Sequence, residues 1–350
     1  MPKVSVVMPV YGVERFVGAA IESVLAQTFT EFELIVVDDL SPDNSINICR
    51  AFDDSRLRIV QHSENRGLAG ARNTGIREAT GDYIALLDSD DLWAPDKLSL
   101  HVKHLDNNPD VGISFSRSAF IDEHGTPLNA YQMPSLDPVD PGYYLCRNPI
   151  GNGSAPVVRR AVFDEIAFED NLYGNIEKFY FDDQFRQSED IECWIRIAVT
   201  TDWKIAGLSE PLTLYRLNGG GLSANIPKQL ATWEAVVEKT RGYAPELIQQ
   251  WGGLARAFQL RYLARQAIRL KDGKLAVSMC HQSIACKPQI LIREPARTLV
   301  TLGAAYLLFV LPTPVYSLIE PAAVKMTGWI QRLRINAAEI VSPSPVTSRQ

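Results

Sequence analysis

Residues 83–91 read Tyr-Ile-Ala-Leu-Leu-Asp-Ser-Asp-Asp. An apolar run that ends abruptly in acid suits a strand buried on both faces, as strands of parallel sheets are. Similar runs occupy Val4–Val10 (VSVVMPV) and Glu33–Asp38 (ELIVVD), with a shorter one at Arg56–Gln61. Helical spacing fills the intervals at Val17–Gln27, Ser45–Asp53 and Leu68–Ala79. Strand–helix alternation at this spacing predicts an α/β fold, a mostly parallel sheet flanked by helices. Such sheets bind ligands beyond the C-terminal ends of their strands. The residues there are Pro9-Val10-Tyr11, Asp38-Asp39 and Asp88-Ser89-Asp90-Asp91.

Composition frames this reading. Hydrophobic residues make up 46% of the 350, which excludes a disordered or fibrous chain. The net charge of −6 hides two unlike parts. Residues 1–225 carry 19 Lys and Arg against 34 Asp and Glu, whereas residues 226–350 carry 16 against 7. Five scattered cysteines, an odd number with no CxxC pair, argue against a disulfide framework or a structural zinc site. With no signal-like segment at the start, the expected location is cytoplasmic.

Beyond residue 115 the pattern is less regular, with loops rich in Pro and Gly, until a helix over Glu189–Val199. The expected organisation is a catalytic domain at 1–225, a helical region at 226–290, an apolar segment at 291–330 and a tail at 331–350. Gly273 divides Leu254–Leu270 from Leu275–Ala285, as in a helical hairpin. Arg261, Arg265 and Arg269 recur every four residues, which suits either a solvated face or contact with anionic lipid. From Thr298 to Ile319 no residue is charged. That length suits membrane contact or a buried helix pair, but Pro312 and Pro314 favour shallow insertion over a span. Together these features predict a peripheral or monotopic protein at the inner face of an anionic membrane. Nucleic acid is a poor partner for so acidic a front domain.

The acidic cluster carries the chemistry. Neighbouring carboxylates repel unless a cation sits between them, and Mg²⁺ or Mn²⁺ suits oxygen ligands together with substrate phosphate. Asp88 and Asp90, two apart on an extended chain, point to one side. Asx-turn and capping chemistry would also explain acids here. Adjacent acids at Asp38-Asp39 can accept hydrogen bonds from a base edge or ribose, or serve a turn. Gly67 to Gly75 (GLAGARNTG) lets a helix approach the sheet closely and presents Arg72, a cation able to reach phosphate or the acids. No phosphate-binding GK[ST] loop is present.

Taken with Asn65-Arg66-Gly67, these motifs resemble, in order and spacing over residues 3–225, family 2 glycosyltransferases of the GT-A fold. The resemblance implies an inverting, metal-dependent enzyme using a nucleoside diphosphate sugar, uridine-linked by preference. It assigns Pro9, Tyr11, Glu14, Asp38 and Asp39 to the nucleoside, Arg72, Asp88 and Ser89 to ribose and diphosphate, and Asp88 with Asp90 to the metal. An inverting transfer also needs a carboxylate base on a different element. The segment Glu189-Asp190-Ile191-Glu192-Cys193-Trp194 resembles the family's acidic motif, with Asp190 in the base position. Glu189, Trp194 and Asn152, the last in the loop Ile150–Pro156, fall on the acceptor side. Tyr215-Arg216-Leu217-Asn218 with Ser223 resembles a flap over the diphosphate, hinged at Gly219–Gly221. The implied acceptor is a glycan or lipid-linked saccharide of surface polysaccharide assembly. No Gln-x-x-Arg-Trp sequence is present, which argues against a processive polymer synthase. The rival readings are a metal-dependent nucleotidyl or phosphoryl transferase and a non-catalytic sugar-nucleotide-binding module.

Overall fold

A computed structural model describes residues 1–217, 225–312, 314–316, 318, 325 and 327–335. Gly219–Gly221, Ser223 and residues 336–350 of the expected tail lie outside the described residues.

The first half follows the alternation. Strands β1 (Val4–Val10), β2 (Phe32–Asp38), β3 (Leu57–Gln61) and β4 (Tyr83–Leu86) lie parallel in the order β3-β2-β1-β4. Helices α1 (Val17–Leu25), α2 (Ser45–Arg50) and α3 (Gly67–Glu78) form the crossovers. Every residue of β1 is buried, the reason its sequence runs apolar without alternation. Helix α3 can lie close to β1 because Gly75 has no side chain. A Cβ there would come within 2.2 Å of Val7 Cγ1. Register pairs Val10 with Asp38 and Val7 with Leu86, so the residues following β1, β2 and β4 emerge at one edge of the sheet.

The second half is a mixed sheet. Strand β5 (Leu92–Trp93), helix α4 (Lys97–Asn107) and strands β6 (Val111–Ile121) and β7 (Pro127–Gln132) lead to α5 (Pro141–Cys146), β8 (Val157–Arg159) and α6 (Arg160–Ile166). The short pair β9 (Phe168–Asp170) and β10 (Glu177–Phe179) precedes α7 (Glu189–Thr200) and β11 (Lys204–Arg216). The sheet continues from β4 as β8-β6-β11-β5, with β7 on β6 and β8 antiparallel to both its neighbours. Two long strands therefore occupy the region that reads as irregular in sequence. Polar residues disguise β6: Ser114, Ser116, Arg117 and Ser118 are all buried in it. His101 and His104 each lie 2.7 Å from Ser114 Oγ, and Asn152 donates to Ser118 at 2.8 Å.

Helices α8 (Ile226–Tyr243), α9 (Pro245–Arg269), α10 (Gly273–Cys286), α11 (Ile290–Arg293) and α12 (Pro295–Val310) follow, and residues 327–335 are helical again. The α9–α10 hairpin turns at Asp272, whose carboxylate accepts from Leu275 N–H. Trp233, Val236, Ile248 and Ala255 join the same hydrophobic core as Val7 and Ile35. On α5, Gly142 leaves room for Trp251, which a Cβ would meet at 2.2 Å. The first of these helices thus complete the sheet domain's core. Helix α12 ends at Val310, two residues before Pro312. Among the described residues no helix is long and apolar enough to cross a membrane.

Candidate active site

The edge beyond β1, β2 and β4 is built as interlocked turns. After β1, Gly12 turns the chain at φ 66° and donates its N–H to Ser41 Oγ at 2.9 Å. Glu14 exchanges bonds with the opposite turn, donating to Asp43 and accepting from Asn44 N–H, each at 2.9 Å. Against its partial burial, hydrogen bonds from Ser45, Glu14 and Ser41 pull the Asp43 carboxyl down to about 2. Tyr11 stands out from this loop, 54% exposed, while Pro9 stays within the sheet opposite Val37.

Asp38 and Asp39 are turned inward, both 2% exposed. Asp38 accepts from Ser41 N–H and Gln61 Nε2, each at 2.8 Å. Asp39 accepts from Arg66 N–H at 2.7 Å and Gly67 N–H at 2.8 Å, and lies 2.8 Å from His62 Nδ1. These are the otherwise unpaired donors at the start of α3, where a carboxylate also meets the favourable end of the helix dipole. Of the two roles the sequence allows these acids, acceptor for a base edge or ribose and turn residue, the second is the one visible in these contacts. Their observed work is to fix the turn after β2 and the start of α3.

The cluster after β4 alternates. Asp88 and Asp90 are half-buried, whereas Ser89 and Asp91 are buried. Ser154 Oγ donates to Asp91 at 2.6 Å and accepts Asp88 N–H at 3.0 Å. Arg216 N–H reaches Asp91 at 2.8 Å. Burial, Asp90 and Asp88 hold the Asp91 carboxyl well above the usual carboxylate range. Asp91 and Ser154 are therefore the scaffold on which Asp88 and Asp90 sit. Among the described residues no group of three or more His, Cys, Asp or Glu could by itself hold a metal ion. Asp88 and Asp90, two half-buried hard carboxylates beside a third acid, do fit Mg²⁺ or Mn²⁺ completed by waters and substrate phosphate.

Arg72 joins this cluster to the other side of the site. It is 1% exposed in the middle of α3, and its guanidinium donates to Asp88 at 2.6 Å and to Glu189 at 2.8 Å. Burial works against its charge, but Asp88 and Glu189 outweigh burial and make it more basic than usual. Helix α7 begins at that contact, after Ser188 in a left-handed conformation at φ 61°. Burial pushes the Glu189 carboxyl up to about 7, Arg72 opposes this and Asp190 adds to it. Asp190 is half-buried and also raised, by burial and by Asp88 against the pull of Arg72. Its carboxylate accepts from Asn148 Nδ2 at 3.3 Å.

Several expected contacts turn away from this opening. Trp194 is 1% exposed and packs edge-on against Phe181 at 5.8 Å, a core residue rather than an acceptor platform. The Asn152 amide is occupied by Ser118 and Gln132, at 2.8 and 2.9 Å. Arg216 is no flap residue: its guanidinium donates to the carbonyls of Asp90, Asp122 and Glu123 and lies over the Phe16 ring. Conversely, Ser154 and Asn148 act directly on the acids, yet nothing in their local spacing distinguishes them from ordinary loop residues. Lys97, at the start of α4, is likewise fully buried, its ammonium donating to Ala155 O at 2.8 Å.

Comparison with known proteins adds to this geometry. Residues 5–167 match the sequence model of glycosyl transferase family 2. An uncharacterized glycosyltransferase of Rickettsia felis is 34% identical over 230 residues, 62% of this chain and 33% of that protein. A UDP-Glc:alpha-D-GlcNAc-diphosphoundecaprenol beta-1,3-glucosyltransferase of Escherichia coli, WfgD, is 43% identical over 105 residues, 30% of this chain and 42% of that protein. The match thus spans a third to two fifths of these relatives' lengths. Among solved structures, a mannosyltransferase of Pyrobaculum calidifontis in complex with GDP-Man and Mn²⁺ shares the fold. It superposes with a TM-score of 0.54 at 20% identity, covering 95% of this chain and 87% of its own.

Proposed function

This chain belongs to glycosyl transferase family 2, and from that premise we propose that it moves a sugar, with inversion, from a nucleoside diphosphate sugar to a hydroxyl of a glycan or lipid-linked saccharide. The observation that carries this reading is the double contact of Arg72, which holds the acidic cluster and the start of α7 a single guanidinium apart. A donor diphosphate at Asp88 and Asp90 then lies beside the carboxylate that must act on the acceptor.

Each group has a definite part. Tyr11 and the turns built on Glu14, Asp38 and Asp39 form the nucleoside end, with a uridine-linked donor suggested by the name of the Escherichia coli relative. A divalent cation held by Asp88 and Asp90 would balance the diphosphate charge. Glu189 is already engaged by Arg72, which leaves Asp190 as the base. Its raised basicity suits proton transfer better than an ordinary aspartate would. The acceptor hydroxyl gives its proton to Asp190 as its oxygen bonds to the anomeric carbon. The carbon–oxygen bond to the diphosphate breaks, and the electron pair leaves on the phosphate oxygen. Residues 1–225 act as the transferase unit, with 226–290 helical and 291–330 facing a membrane on the cytoplasmic side; of the expected tail at 331–350, residues 331–335 belong to a helix instead. A lipid-linked acceptor would place the protein in surface polysaccharide assembly.

The test is a panel of nucleotide sugars with Mn²⁺ and Mg²⁺, read by donor hydrolysis and thermal stabilisation. One donor should stabilise the protein in a metal-dependent way, by an amount that grows with its concentration over Kd. A protein that no nucleotide sugar stabilises, with either metal, would overturn the reading.

A further inference from the structure

Helix α12 is inverted. The residues it turns toward α9 and α10 are Thr298, Thr301, Ala305 and Leu308, all buried. The two threonine hydroxyls are satisfied within the helix, donating to Glu294 O at 2.8 Å and Arg297 O at 2.7 Å. The opposite face carries Leu299, Val300, Leu307 and Val310, which are 51–72% exposed. A helix lying on a water-facing surface distributes its residues the other way, and a contiguous exposed apolar face marks a contact.

The beginning of that helix is strongly cationic. Arg147, Arg261 and Arg297 converge on a single carboxylate, Glu294. Arg265 and Arg269, exposed one turn apart on α9, have no ion-pair partner among the described residues. The cluster therefore holds a surplus of positive charge beside the apolar face.

A second patch is tied to the loop before β8. Trp329, Ile330 and Leu333 are exposed on the helix at residues 327–335. That helix is fastened to β7 by Gln331, whose amide accepts from Tyr131 N–H at 3.0 Å and donates to Tyr131 O at 3.1 Å. The next residue of β7, Gln132, holds Asn152 in the loop that carries Ser154.

We propose that these two patches dock on an anionic phospholipid membrane, with the apolar side chains at the headgroup–acyl boundary and Arg265, Arg269 and Arg297 against the phosphates. The inference rests on the transferase reading and deepens it: docking in this way would hold the acceptor loop where a lipid-linked acceptor is presented. Interfacial binding of this kind draws on buried apolar area and on attraction to anionic lipid together.

The test is flotation of the full chain with phosphatidylcholine vesicles, with and without phosphatidylglycerol, at low and high salt. The protein should bind the anionic vesicles and be weakened by salt. Leu299→Glu with Leu307→Glu should lower partitioning about a hundredfold. Arg265→Gln with Arg269→Gln should lower it about thirtyfold and flatten the salt dependence. Donor-induced thermal stabilisation should be unchanged in all of these variants, which shows that they fold. Monomeric protein that ignores anionic vesicles, equal binding to neutral vesicles, or a dimer that Leu307→Glu dissociates would each overturn the docking proposal. Vesicle binding without any donor stabilisation would count against the transferase reading alone.

Discussion

Arg72 and Glu189 meet at 2.8 Å across 117 residues of sequence, and the pair is almost wholly buried. A buried guanidinium between two carboxylates is costly to desolvate and is kept only where its partners are in place. Removing it leaves Asp88 without its cation and Glu189 buried without its partner. Arg72→Ala should cost about 3–5 kcal/mol in stability, measured by denaturant unfolding, and should abolish turnover even where the protein remains folded. Arg72→Lys should recover part of the stability but not the geometry, because an ammonium cannot reach both acids as a planar fork does.

Gly153 lies against the same guanidinium. A Cβ at this position would stand 2.2 Å from Arg72 Nη2 and 2.6 Å from Asp88 Oδ2. Gly153→Ala must therefore push apart the Arg72–Asp88 contact. Turnover and metal affinity should fall well beyond any loss in melting temperature, as shown by kcat against Mn²⁺ concentration beside a thermal scan. An alanine variant with unaltered metal dependence would show that the loop gives way without moving the pair.

How much of this was legible beforehand depended on local pattern. Strands β1, β2 and β4 are apolar because both faces are covered, so their existence and the acids beyond them could be read directly. Strand β6 could not. Its buried Ser118 and Arg117 bond to partners far away in sequence, Asn152 and the carbonyl of Ser209, and a local pattern contains no trace of those partners. The same limit applies to Trp194 and Arg216. Each sits in a motif whose position suggests the site, but tertiary packing turns one ring into the core and one guanidinium onto main-chain carbonyls. Ser154 lay in a segment singled out for the acceptor, yet its actual task of bridging Asp91 and the Asp88 backbone emerges only when β4 and the loop before β8 are brought together.

The raised carboxyls of α7 give a pH prediction. Asp190 must be ionised to take a proton, so the acidic limb of kcat/KM should lie above the ordinary aspartate value of about 3.9. Glu189→Gln removes a neighbouring negative charge and frees Arg72 to favour ionised Asp190, which should move the limb to lower pH. Stability should respond as well. Folded Glu189 keeps a proton up to about 7, whereas in the unfolded chain it is lost near the ordinary glutamate value of 4.5. Its contribution is fully present below that lower value and lost as pH rises through the upper one. Glu189→Gln should flatten the fall in stability across this window, as measured by denaturant midpoints at several pH values.

The most direct measurement is Asp190→Asn, assayed for sugar transfer and, in parallel, for thermal stabilisation by the donor with Mn²⁺. Asparagine keeps the shape and the contact with Asn148 but cannot accept the acceptor's proton. Turnover should fall by about 10²–10⁴-fold while donor stabilisation persists. Turnover equal to that of the unaltered protein would contradict the assignment of Asp190 as the base.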